Sequence, residues 1–337
     1  MSTVQETGQQ TADIVSSPHL KLGKGERIAM AANGFFRRAI LSATHNRLVA
    51  RIVRRHGMRL GGSRFVAGET LDEAVQVLRS LNEKGFRTNT TLLGEGVRDE
   101  TAALAAVAAY VEILDRIAAE GLVTNVALKL THLGLGLDEE FAYRNVRRLV
   151  EHAAALGNFI RIDMEESSWV DPTLRIYRRL RADGFDNVGT VLQAMLYRTA
   201  QDLEDLLPLR PNLRLVKGAY LEPSTVAYPK KPDVDRNYVR LAERMLPNAG
   251  YSAIATHDER IIAHVIEFTQ RHGIERERFE FQMMYGVRPQ LQLELVRQGY
   301  RVLVATPFGT EWYFFLMRRL AERPANVLFL LRNLVKR

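Results

Sequence analysis

A closed α/β barrel of the (βα)8, or TIM, type is the fold that the sequence predicts, on three observations. Eight short apolar or β-branched runs recur after residue 85, each followed by a pattern of helical period. Such alternation implies parallel strands joined by right-handed crossovers, and eight units over about 250 residues have the size of a closed barrel. No G-x-G-x-x-G follows the first run, which weakens the competing open, doubly wound sheet.

The elements can be justified in order. Residues 1–18 are polar and too poor in apolar groups to pack, so they form a loose or disordered arm. Residues 19–84 hold N-terminal helices: a helical pattern over 24–58, then a loop and an amphipathic helix within 63–86 that Thr70 caps. The barrel occupies 85–337. Its first strand is expected at 87–93, running into Gly94-Glu95-Gly96, with an Ala-rich helix over 98–122. The remaining strands are expected at 125–130, 159–164, 187–193, 213–218, 252–256, 279–284 and 300–306.

Composition narrows the chemistry. The 337 residues are 46% hydrophobic and 26% charged, enough for a large core. There is no cysteine, which removes disulfides, thiol nucleophiles and cysteine-ligated metals or clusters and is compatible with a reducing cytoplasm. The formal charge of +8 is dispersed among acidic residues, with no basic run longer than "RIVRRHGMR" at 51–59, so nucleic acid is not an expected partner. No run reaches the roughly 18 apolar residues of a membrane span, and the polar start lacks the basic-then-apolar pattern of a signal peptide. A soluble, unsecreted protein is expected.

In a barrel of this kind the chemistry belongs at the C-terminal ends of the strands. Those ends carry Glu95; Lys129 and His132; Asp163, Glu165 and Glu166; Gln193; Arg214, Lys217 and Tyr220; Thr256, His257 and Asp258; Gln282 and Tyr285. Charges inside apolar strands, such as Lys129, Asp163 and Arg214, are costly unless paired or bound to a ligand. Mutual ion pairs and a bound ligand both satisfy that demand. A metal at His257 and Asp258 is not expected, because no second histidine stands at ligand spacing. His132 carries no functional expectation and is read as a surface or core residue.

"LRLVKGAY" (213–220), with "RIDMEES" (161–167), "VLQAMLYR" (191–198), "ATHDERII" (255–262) and "MRRLAERPAN" (317–326), resembles the proline dehydrogenase family. The resemblance covers about residues 85–335 in order and implies a distorted (βα)8 barrel that binds FAD. It places Arg214 beside flavin N5, with Lys217, Gly218 and Ala219 further along the cofactor. Gln193 would bond the isoalloxazine edge, Val191 and Met164 would pack near it, and Thr256 and His257 would hold the phosphate or ribose region. Arg318 and Arg319 would grip a substrate carboxylate, since guanidinium groups offer paired donors that match that anion. From the residues alone, Arg318 reads as the helical i,i+4 partner of Glu322 on a solvated face. Lys129 would complete the carboxylate clamp, and Glu95 would close over the substrate by pairing with Arg318. Asp163 is implied as the electrostatic or proton-handling partner.

The resemblance implies hydride transfer from the carbon next to nitrogen of proline to flavin N5, giving 1-pyrroline-5-carboxylate. A quinone or another acceptor would take the electrons, so a cytoplasmic protein with at most peripheral contact with the inner membrane is expected; an oligomer is compatible. Four positions depart from the family's pattern: Thr91 stands for its aspartate, Ala305 and Phe308 for two tyrosines of the eighth strand, and Phe315 for the tyrosine before the arginine pair. They leave two readings of the substrate. One is proline or a related cyclic amino acid. The other is a different small carboxylate-bearing amine or hydrazine, oxidised at C–N or N–N in specialised biosynthesis.

Overall fold

Eight parallel strands pair in sequence order and close on themselves: β1 (Arg87–Leu92), β2 (Thr124–Leu128), β3 (Ile160–Ile162), β4 (Val188–Gln193), β5 (Asn212–Val216), β6 (Tyr251–Ala255), β7 (Phe279–Met284) and β8 (Val302–Phe308). This computed structural model describes residues 51, 62–313 and 315–317. The chain divides into two compact units, Met1–Ile52 with Met317–Arg337, and Val53–Leu316, and the barrel is the second. The expected arm at 1–18, the helical pattern of 24–58 apart from Arg51, and Arg318 and Arg319 lie outside the described residues or beyond the barrel unit.

Helix α1 (Leu71–Glu83) precedes the barrel. Thr70 caps it as the sequence predicts, and Glu73 closes a capping box by reaching back to the Thr70 N–H. Helices α2 (Glu100–Ala119), α3 (Glu139–Ala155), α4 (Val170–Ala182), α5 (Thr199–Leu206), α6 (Lys231–Asn248), α7 (Glu259–Arg271) and α8 (Pro289–Arg297) follow β1 to β7 in turn. Asp99, Asp138 and Asp258 cap α2, α3 and α7 through their side chains, each worth about 1 kcal/mol. The capped helix starts lie on the same side of the barrel as the strand ends.

Alternation divides each strand between two environments. Leu213, Leu215, Ile254, Phe281, Val302 and Val304 face the helices and are fully buried in one continuous core. The opposite face lines the barrel. Register partners of parallel strands share a face, and Arg214 pairs with Ala253, Ala253 with Glu280, Gln282 with Leu303, Ala305 with Asn89, and Ala127 with Arg161. Stepping by two along each strand therefore puts Thr91, Lys129, Asp163, Arg214, Met284 and Ala305 on the inner face, toward the C-terminal mouth. Strand β8 extends two residues beyond the predicted 306, because Pro307 holds register with Thr91 and its carbonyl accepts the Ala67 N–H at 2.8 Å.

Candidate functional site

The inner face of β3 meets that of β5 in an ion pair. Asp163 follows β3 directly, and its Oδ1 accepts a hydrogen bond from Arg214 Nη1 at 2.7 Å. Arg214 is buried, and its Nε–H makes no hydrogen bond. An unsatisfied buried donor is unfavourable by about 1–3 kcal/mol, so this N–H is placed to meet an acceptor. One layer deeper, Arg161 lies buried and donates to the carbonyls of Thr190 (3.1 Å) and Asn212 (2.8 Å) and to Asn212 Oδ1 (2.5 Å). Burial, with the Arg214 charge beside it, pulls its guanidinium down to about 9, which leaves it a cation at neutral pH. Gly189 makes room for it: a Cβ there would stand 2.5 Å from Arg161 Nη1 and 2.5 Å from the Asn212 carbonyl oxygen.

The mouth of β4 is buried. Val191 pairs in register with Arg214, Met164 is buried beside the β3 end, and Gln193 donates through Nε2 to the Glu165 carbonyl at 2.8 Å. At the mouth of β5, Lys217 Nζ lies 2.5 Å from Asp235 Oδ1 on α6 and 3.1 Å from Asp258 Oδ2. Burial pushes the Asp258 carboxyl up, but the Lys217 hydrogen bond and charge outweigh it and hold the group below its usual value. Asp258 thus caps α7 and fixes Lys217 with its two oxygens. Gly218 adopts φ +106, a backbone conformation that favours glycine, and a Cβ there would stand 2.3 Å from Met195 Sδ and displace that side chain. Ala219 follows it in the same loop. Thr256 Oγ1 accepts the Asp258 N–H at 3.1 Å, and His257 Nε2 accepts the Met284 N–H at 2.9 Å, which fixes that nitrogen as unprotonated.

At β2 the Lys129 ammonium pairs with the Glu95 carboxylate of the β1–α2 loop. Glu95 was expected to meet Arg318, which lies outside the described residues; within them its cation is Lys129. His132 belongs to this corner. Its ring packs on Gly94, where a Cβ would stand 2.4 Å away, and edge-on to Tyr110 with centroids 6.0 Å apart. Burial, with Lys129 nearby, lowers its pKa to about 4. On the inner faces of β1 and β8 stand Thr91 and Ala305, neither ionisable; Phe315 is half-buried after β8.

The structure brings Asp163, Met164, Val191, Gln193, Arg214, Lys217, Gly218, Ala219, Thr256 and His257 to one arc of strand ends, β3 to β6. Lys129 and Glu95 stand at the mouths of β1 and β2. Sequence reasoning missed Asp235, which sits within a helix 18 residues after its partner Lys217, and Thr131, which binds the Glu165 carboxylate with its hydroxyl at 2.6 Å. Neither had a signal beyond its residue type.

The family profile for proline dehydrogenase matches residues 74–332. Proline dehydrogenase 1 of Bacillus subtilis is 40% identical over 301 residues, covering 89% of this chain and 99% of that protein. Proline dehydrogenase of Deinococcus radiodurans is 42% identical over 305 residues, covering 89% and 98%. Among solved structures, proline utilization A from Bdellovibrio bacteriovorus superposes with a TM-score of 0.75 at 24% identity over 88% of this chain. The chain spans 37% of the length of that larger protein, and the likeness is one of fold.

Proposed function

The chain belongs to the proline dehydrogenase family of CH–NH oxidoreductases, and from that premise we propose that it oxidises the C–N bond of proline to 1-pyrroline-5-carboxylate with FAD as cofactor. The observation that carries the reading is the inward Asp163–Arg214 pair at 2.7 Å, at the centre of an arc whose remaining polar groups are already positioned. The donor set suits an FAD. Arg214 offers a buried, unbonded Nε–H, Lys217 a cation at the rim, and Gly218 a backbone turn without a Cβ. When bound, the flavin supplies a two-electron acceptor for the hydride that leaves the ring carbon next to nitrogen.

The residues of the chain do the rest. Arg214 holds a fixed positive charge where negative charge accumulates on reduction, and Asp163 fixes its guanidinium in place. Lys129 and, by the family pattern, Arg318 and Arg319 bind the substrate carboxylate and orient the ring. The amine proton departs as the C=N bond forms, and Asp163 is an inward carboxylate placed to receive it. Gln193 and Val191 present a buried wall, while Thr256 and His257, anchored by Asp258 and Met284, form the far end of the cofactor site. Electrons pass onward to a quinone or another acceptor, with at most peripheral membrane contact.

The test is direct. Purified protein, incubated with FAD and freed of excess, should show flavin absorbance that proline bleaches, and should reduce a dye acceptor. Colourless protein would defeat the proposal. Ala305 and Thr91 on the inner face favour a second reading, a different small carboxylate-bearing amine or hydrazine oxidised at C–N or N–N. A panel of cyclic amines and hydrazines decides between them, and turnover of proline at ordinary enzyme efficiency sinks the second.

A further inference from the structure

Glu165 has no part in the chemistry proposed above, yet its carboxylate is buried at the centre of the rim, with the residue 2% exposed. Burial pushes this carboxyl up, and contacts from Thr131 oppose the shift. Oε1 accepts the backbone N–H of Thr131 at 3.1 Å, and Oε2 accepts the Thr131 hydroxyl proton at 2.6 Å. With its proton committed to Glu165, the hydroxyl accepts the Gly96 N–H at 3.3 Å, and the Thr131 carbonyl accepts the Val97 N–H at 3.3 Å. The Glu165 carbonyl in turn accepts from Gln193 Nε2 at 2.8 Å. One acidic residue therefore joins the mouth of β4 to the turn after β2 and to the loop after β1. Lys129 stands two residues before Thr131, and Glu95 one residue before Gly96.

We propose that Glu165 is a positioning residue for the substrate's carboxylate: by fixing the Thr131 hydroxyl it holds Lys129 and the Gly94–Glu95–Gly96 turn in one arrangement. The inference rests on the reading that Lys129 and Glu95 meet the substrate. A carboxylate is required because it only accepts. The amide of Glu165→Gln has nearly the same shape, but it would present an N–H to one of the two Thr131 donors. Thr131 could then satisfy Gly96 and residue 165 together only by leaving its own proton unbonded. A residue serving packing alone would tolerate that amide.

The experiment uses the flavin-loaded full chain with proline as substrate. Glu165→Gln and Thr131→Val should each raise KM about tenfold with kcat changed less than about twofold, as expected when a buried hydrogen bond that orients a binding group is lost. The double variant should be no worse than either single one, because both break the same contact. Thr131→Ser keeps the hydroxyl and should stay near wild type. Amide hydrogen exchange in peptides covering 93–99 should quicken in both damaging variants and not in Thr131→Ser, with the flavin spectrum unchanged. Unchanged exchange, or additive effects in the double variant, overturns the inference whatever the kinetics. Lys129→Met with an unaltered KM sinks instead the carboxylate reading beneath it, even where the loop loosens. Thr131→Val, nearly isosteric, keeps the test decisive should Glu165→Gln fail to fold.

Discussion

The mouths of β3 to β6 and those of β7, β8 and β1 are made of opposite materials. The first arc is charged: Asp163 with Arg214, Lys217 between Asp235 and Asp258, and Glu165 bound to Thr131. The second presents Met284, Ala305, Pro307 and Thr91 on the inner face of its strands, none of them ionisable, and the charge that stands at the mouth of β1 is Glu95 in the loop after it, paired with Lys129 of β2. A buried charge must be partnered before any ligand arrives, so the first arc is organised in advance and tolerates little change. The second holds only shape. The arc proposed for the cofactor should therefore fail by losing chemistry, and the arc facing it by changing which substrate fits.

The largest effect should come from the charged arc. Arg214→Met removes the fixed cation and leaves Asp163 unpaired; flavin reduction by proline, followed by stopped-flow absorbance, should slow by about 10²–10³, the loss typical of one electrostatic contact in the transition state. A rate within a few-fold of wild type would erase the distinction between the arcs. Next, Lys129→Met, at the border between them, should raise KM by about 10² through loss of a charge-assisted contact while kcat stays nearly constant.

His132, at the same border, gives a smaller effect on stability. Its folded pKa of about 4 lies below the unfolded value near 6.5, so the unfolded chain binds a proton first as pH falls. Stability on this account is intact at pH 7 and is lost by about 2 kcal/mol between pH 7 and pH 5, since each unit of differential protonation is worth about 1.4 kcal/mol. His132→Phe should remove that part of the slope in denaturant melts across this window; an unchanged slope would refute the assignment. The smallest effect belongs to the neutral arc. Ala305→Tyr should leave flavin binding intact and lower turnover of bulkier cyclic amines against proline by about tenfold, as steady-state ratios of kcat/KM would show.

The fold was legible because each buried parallel strand is written as a short apolar or β-branched run followed by a helical pattern. All eight appear near their predicted positions, from 87–93 at β1 to 279–284 at β7. The error at β8 has a cause: Pro307 reads as a strand terminator, yet it holds register with Thr91 at the end of β8. The charged arc was legible as residue types at strand ends, since Asp163, Arg214 and Lys217 interrupt apolar runs. Their partners were not. Asp235 reaches Lys217 across a loop of unpatterned sequence, and Thr131 differs from any other threonine only by facing a buried carboxylate. His132 likewise showed no sign of the desolvation that lowers its pKa, which depends on the Gly94 backbone and Tyr110 closing over the ring.

Arg161 bears on the direction in which a proton can leave. On β3 the inner face runs Phe159, Arg161, Asp163, and Phe159 belongs to a cleft of about 480 Å³ at the opposite end of the barrel, with Arg87 and Glu280. Between that cleft and Asp163 stands the Arg161 guanidinium, a cation at neutral pH, with its Cζ 4.9 Å from the centre of the Phe159 ring and its two Nη groups donating to Thr190 and Asn212. A fixed cation in a low-dielectric channel repels another positive charge by several kcal/mol at close range, at the effective screening of protein interiors. On the proposed reading, in which Asp163 takes the amine proton, the barrel is to protons a flask rather than a pipe, and that proton would leave by the substrate's own entrance.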